Sequence, residues 1–295
     1  MSAASIAARP ERTNITEIRR DHPGLVAERL RNRPRFPGFA GIDKLLVIAA
    51  DHPARGALAV GGDPRAMADR QDLLIRIQTA LGRPGVHGFL GTADLIEELA
   101  LLGALDHKLV LGSMNRGGIA GTEFELDDRF TGYDARGVAD AGLDGGKMLL
   151  RIDPGDAASV ATMQACARAV DELAERGLIA LVEPFWSTRV DGKVRNDLTP
   201  DAVIRSITIA SGLGRTSAYT WLKLPAVPEM ERVLAATTMP TLLLGGEVGP
   251  GDPSEQPWRA AAASPAVTGL AVGRTLLYPP DGDVGAAVDE AVELL

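Results

Sequence analysis

Short runs rich in Val, Leu and Ile recur along the chain between longer stretches that carry Arg and Glu on one side, a pattern that predicts strands alternating with helices. Eight such runs can be read: Leu45 to Ala50, Val86 to Leu90, Leu109 to Ser113, Lys147 to Ile152, Ile179 to Glu183, Tyr219 to Leu224, Thr241 to Gly245 and Gly269 to Gly273. They are apolar on both faces, as strands covered on both sides must be, and intervals of roughly 20 to 40 residues suit a helical crossover to a parallel neighbour. Hydrophobic periodicity alone gives an α/β protein; the count of eight selects a closed (β/α)8 barrel over an open sheet. Residues 14–31 predict an extra amphipathic helix before the first strand. The chain therefore divides into an N-terminal helix and linker, 1–41, and a barrel, 42–295. Residues 115–140, with Gly117, Gly118, Gly121 and Gly132, predict a long loop after the third strand, placed where it could cover a site.

Composition narrows the setting. In 295 residues, 45% hydrophobic, there is material for a large core, while no apolar run approaches the length of a membrane span. A net charge of −8 without a basic block argues against a nucleic-acid surface. The single cysteine, Cys166, lies in an Ala-rich helical pattern and reads as packing, and the N-terminus has no apolar h-region, so a cytoplasmic setting is expected. Among His22, His52, His87 and His107 there is no HxH or HExxH spacing, so no metal or other cofactor is expected; His87 reads as a packed strand residue.

Lysine placement carries the chemistry. The chain has five lysines among its 31 basic residues, and two of the five, Lys147 and Lys223, fall inside apolar strand runs where burial opposes an ammonium charge. Period-two alternation puts Lys223 on one face with Tyr219 and Trp221, and Leu222 and Leu224 on the other, which points Lys223 into the barrel mouth. Asp51 closes the first run and Glu183 the fifth, so two amines and two carboxylates converge on the strand ends where barrels place their active sites. If both amines face inward, mutual repulsion and desolvation are expected to lower the pKa of at least one and make it a nucleophile toward a ketone. The alternative for each is a structural role: Lys147 paired with Glu183, Asp51 capping its loop, or a lysine snorkelling to the strand end. Runs seven and eight end in Gly245, Gly246 and Gly273 followed by Arg274, which reads either as a phosphate cradle or as tight-turn geometry.

Taken in order, Asp51 before Arg55-Gly56-Ala57, Lys147, Glu183-Pro184 and Lys223 resemble the class I (Schiff-base) aldolases of the barrel superfamily. That superfamily includes tagatose-bisphosphate, archaeal-type fructose-bisphosphate and deoxyribose-phosphate aldolases. The likeness covers about residues 43–278 and is nearest to actinobacterial deoxyribose-phosphate aldolase-like proteins associated with inositol catabolism. It implies a metal-independent lyase in which Lys223 forms the imine, Glu183 moves protons, Lys147 polarises the hydroxyl side and Asp51 orients substrate. Gly245, Gly246, Gly273, Arg274 and Arg55 would contact substrate or its phosphate. The implied partner is a phosphorylated sugar or keto acid such as 5-dehydro-2-deoxygluconate 6-phosphate, split into dihydroxyacetone phosphate and malonate semialdehyde. Arg116 and Arg189 are candidate cations for the carboxylate end. Two departures stand out, Glu247 beside the glycines and the 115–140 insert. The same scaffold could instead serve acyl transfer or a non-catalytic sugar-phosphate sensor, and barrels of this kind often form homo-oligomers.

Overall fold

The computed structural model describes residues 15–115, 118–245 and 261–295. All eight apolar runs form strands: β1 (Leu45–Ala49), β2 (Gly88–Gly91), β3 (Leu109–Ser113), β4 (Gly145–Ile152), β5 (Ile179–Val190), β7 (Thr220–Pro225), β8 (Thr241–Leu244) and β9 (Gly269–Val272). Each pairs in parallel with its neighbours, and the circle closes through β1 with β9, where Leu45 faces Gly269, and through β4 with β5. The result is a (β/α)8 barrel.

Side-chain parity sorts the core into two layers. Val47, Leu90, Leu111, Leu181, Leu242 and Ala271 fill the barrel interior. Their strand neighbours, such as Leu46, Ile48, Leu222 and Leu224, face outward into a larger core shared with the helices. Four of the helices start on side-chain caps: Asp69 accepts from the backbone N–H groups of Gln71 and Asp72, and Asp134, Thr199 and Asp283 cap in the same way. The lower end of the barrel is plugged by the incoming chain. Phe39 packs on Trp221 with ring centroids 5.4 Å apart and on Phe36 at 5.2 Å, with Ile42 alongside.

Three elements differ from expectation. The N-terminal helix is two helices, α1 (Ile15–Asp21) and α2 (Gly24–Asn32), because Pro23 has no N–H to continue the first and starts the second instead. The long segment after β3 is not loop throughout, since α5 (Ala135–Asp140) forms on the Asp134 cap. Strand β5 does not stop at Glu183: it continues to Val190 and returns antiparallel as β6 (Lys193–Asp197). The turn is Asp191-Gly192, both at positive φ (51° and 75°), the two-residue geometry whose twist matches a hairpin.

Candidate active site

Because β1, β4, β5 and β7 alternate with period two, the inward positions at their upper ends fall to Asp51, Lys147, Glu183 and Lys223, exposed by only 5, 3, 7 and 2%. They form one connected cluster. Lys223 Nζ donates to Glu183 Oε1 at 2.7 Å, Lys147 Nζ lies 2.5 Å from Glu183 Oε2, and Lys147 Nζ donates to Asp51 Oδ2 at 2.9 Å. Glu183 therefore bridges the two amines. Ser113, the inward residue at the end of β3, donates its hydroxyl to Asp51 Oδ2 at 3.2 Å. It was legible by parity with Leu109 and Leu111, but a serine at a strand end is too common to stand out.

Charge pairing decides the protonation states. Burial would push the carboxyls of Asp51 and Glu183 up, yet the Lys147 and Lys223 ammonium groups hold both below the usual carboxylate range. For Lys147 burial pushes down, and the facing Asp51 and Glu183 charges overcome it, so its pKa is raised. The expected lowering of an amine by amine–amine repulsion is thus reversed at Lys147, because two carboxylates face that amine. His52, the next residue after Asp51, is pushed down to about 4 by burial against the Asp51 charge, helped by Arg274. Its Nδ1 is 3.8 Å from Asp51 Oδ1, too far for a hydrogen bond, and is buried without a partner.

The glycines after β8 and β9 are packed closely against their neighbours. A Cβ on Gly273 would lie 2.2 Å from the Ala49 carbonyl oxygen, and one on Gly245 would meet Val272 Cγ1 at 2.6 Å and Thr275 Oγ1 at 2.8 Å. Arg274 follows directly and its charge bears on His52. Gly246, Glu247 and Arg116 lie outside the described residues. Arg55 is not among the atoms nearest Gly245 and Gly273; its guanidinium instead meets Glu125 of the segment after β3 at 3.4 Å. Arg189 sits on the β5–β6 hairpin and donates to the Glu123 carbonyl. His87 accepts from the Leu46 N–H at 3.2 Å, in keeping with a packing role.

Above the amines lies a second ionic tier. Arg151, four residues beyond Lys147 on the same face of β4, is 3% exposed and gripped by the fully buried Asp128, with Nε to Oδ2 at 2.9 Å and a second contact to Oδ1. Asn115 fastens the same segment to β4, accepting from Leu149 N at 2.6 Å and donating to Leu149 O at 2.8 Å and Asp128 O at 2.9 Å. The segment after β3 is thus clamped across the barrel mouth. Among the described residues no group of three or more His, Cys, Asp or Glu is placed to hold a metal ion, and no helix is long and apolar enough to cross a membrane.

The family model described as Cgl0159-like matches residues 43–292. The chain belongs to the Cgl0159-like family. Within reach of this Cgl0159-like chain, the crystal structure of Cgl0159 from Corynebacterium glutamicum is 53% identical, with all of this chain and 97% of that one covered and a TM-score of 0.91. An archaeal fructose 1,6-bisphosphate aldolase shares the fold at 19% identity and a TM-score of 0.63, covering 91% of this chain and 98% of that one. So does fructose-bisphosphate aldolase from Slackia heliotrinireducens, at 16% identity and a TM-score of 0.59, covering 98% and 93%. The chain matches none of the curated proteins.

Proposed function

We propose that the chain is a class I aldolase that cleaves a phosphorylated ketose or keto acid through an imine on Lys223. The observation that carries this is the single carboxylate of Glu183 held between two buried amines, 2.7 Å from Lys223 and 2.5 Å from Lys147. For Lys223 to attack a ketone it must shed a proton, and Glu183 Oε1 is the acceptor in contact with it. The carbinolamine then takes that proton back on its hydroxyl and loses water, leaving an iminium. Its positive nitrogen draws the electron pair of the adjacent carbon–carbon bond as the β-hydroxyl gives its proton to the Glu183 carboxylate and its carbon leaves as an aldehyde. Asp51, ionised and paired with Lys147, is positioned to orient that hydroxyl. Protonation and hydrolysis of the resulting enamine release the second product and restore Lys223.

The fold neighbours fit this reading. One is described as a Schiff base forming fructose-1,6-bisphosphate aldolase, and another as having its catalytic lysine covalently bound to the carbinolamine of the substrate. Gly245 and Gly273 directly follow the last two barrel strands and Arg274 comes next, the position where barrels often bind phosphate, which suits a phosphate near the ketone. A substrate of this shape is 5-dehydro-2-deoxygluconate 6-phosphate, giving dihydroxyacetone phosphate and malonate semialdehyde, which would put the enzyme in inositol catabolism.

The test is to incubate the protein with dihydroxyacetone phosphate and borohydride and to map the modified peptide by mass spectrometry. The expected product is a reduced adduct on Lys223, absent from Lys223→Met. No adduct, or one confined to another lysine, overturns the proposal.

A further inference from the structure

The two arginines above the amines are held very differently. Arg151 is held firmly: Asp128 grips its Nε and Nη2 with both oxygens, and the Glu125 carbonyl takes a further Nη2 N–H. Arg55 is not. Among the described residues its guanidinium has one acceptor, Glu125 Oε1, at a long 3.4 Å, and its Nε is buried with no hydrogen-bond partner. Glu125 is itself shared, with Oε1 3.7 Å from Arg151 and Oε2 accepting from Gly121 N at 2.9 Å. Arg55 therefore holds unused donors in a planar fork, the geometry that takes a carboxylate or phosphate oxygen pair.

Its place along the pocket is fixed by its neighbours. Arg151 lies two inward positions above Lys147 on β4, so the Arg55–Glu125–Arg151 tier stands on the solvent side of the Lys147–Glu183–Lys223 cluster. Gly245 and Gly273, just after β8 and β9, pack instead against Val272 and, on β1, Ala49.

We propose that Arg55 binds a second acidic group at the end of the substrate remote from Gly245 and Gly273, displacing the Glu125 carboxylate that now occupies its fork. Resting on the aldolase reading, this gives the aldehyde product an anionic end. It also transfers the role expected of Arg116 or Arg189 to Arg55. Burial and the adjacent Arg151 charge both press the Arg55 pKa down, a cost that a bound anion offsets.

Two measurements separate this from the aldolase reading. In the aldol direction, with dihydroxyacetone phosphate as donor, glyceraldehyde 3-phosphate, succinate semialdehyde and neutral glyceraldehyde are compared as acceptors. Arg55→Leu should raise KM about tenfold for the acceptor whose anion fits, the contribution of one charge-assisted hydrogen bond, relative to glyceraldehyde. Whether the phosphate or the carboxylate acceptor suffers identifies the group; Arg55→Lys should recover part of the loss. An unchanged ratio of anionic to neutral acceptors overturns the inference. Independently, calorimetric titration with malonate and with inorganic phosphate should show a site that weakens about tenfold in Arg55→Leu and tightens in Glu125→Gln. If neither anion responds to either variant, the subsite does not exist. If they respond but dihydroxyacetone phosphate gives no borohydride adduct, the subsite stands and the aldolase reading falls.

Discussion

Replacing Lys147 by Met removes one cation from between two buried anions while roughly preserving volume. Glu183 keeps Lys223 at 2.7 Å, so Asp51 is the group left exposed to the loss: its remaining hydrogen bond is from Ser113 at 3.2 Å, with His52 Nδ1 at 3.8 Å. Breaking a buried ion pair by removing one partner costs about 3–5 kcal/mol. That should be the loss of unfolding free energy in urea at pH 8, with an unchanged denaturant slope. The pH dependence gives the stricter check. In the native protein Asp51 is depressed below its ordinary 3.8, so its contribution is present above that value and is lost only as the pH falls through the folded value. In Lys147→Met burial acts on Asp51 with less opposition and its folded pKa rises above the unfolded one. The variant then takes up a proton on folding, and its stability increases as the pH falls, by at most about 1.4 kcal/mol per unit for one group. The gap between the two proteins should narrow from pH 8 to pH 5, and adding Asp51→Asn should recover a large part of it. A gap below about 1 kcal/mol at pH 8, or one that is constant or wider at pH 5, would refute the reasoning.

Glu183→Gln keeps the shape at the centre of the cluster but cannot accept the Lys223 proton; steady-state turnover should fall by roughly 10²- to 10⁴-fold, and a loss under tenfold would remove Glu183 from proton transfer. Gly273→Ala drives a methyl to within 2.2 Å of the Ala49 carbonyl oxygen, so β1 and β9 must part locally. Thermal unfolding should report a loss of about 1–3 kcal/mol, and a variant as stable as the parent would mean the packing around Gly273 is not tight.

Much of this architecture is legible in the sequence because it follows from period-two parity. Runs apolar on both faces became strands, and the inward residues at their ends, Asp51, Lys147, Glu183 and Lys223, met as that parity requires. What parity does not carry is which inward residues touch across the barrel. That is why the raised pKa of Lys147 ran against expectation: its partners lie on β1 and β5, and nothing local to Gly146-Lys147-Met148 signals two carboxylates. Arg151 shares the face of Lys147 and could have been found by counting on, but its partner Asp128 comes from a segment without periodicity. The β5–β6 hairpin was signalled by Asp191-Gly192 and hidden by the polar residues flanking it, which mark a strand pair standing clear of the core. The break at Pro23 was visible as a residue; the amphipathic pattern on either side masked it.

The seam between β1 and β9 sets a schedule for biosynthesis. Leu45 cannot find Gly269 until nearly the whole chain has left the ribosome. At roughly 5–20 residues per second the first strand waits on the order of 10 to 45 s for its partner. Throughout that time β1 has one unpaired edge, β8 has another from the moment it is made, and the aromatic plug of Phe36 and Phe39 lacks the Trp221 surface it covers until β7 is made. Slow, long-range closure of this kind exposes a nascent chain to aggregation. A chain interrupted after β8 but before residue 269 would carry every residue of the amine cluster and still present two sticky strand edges, which makes the last strand the point at which the molecule becomes safe to release.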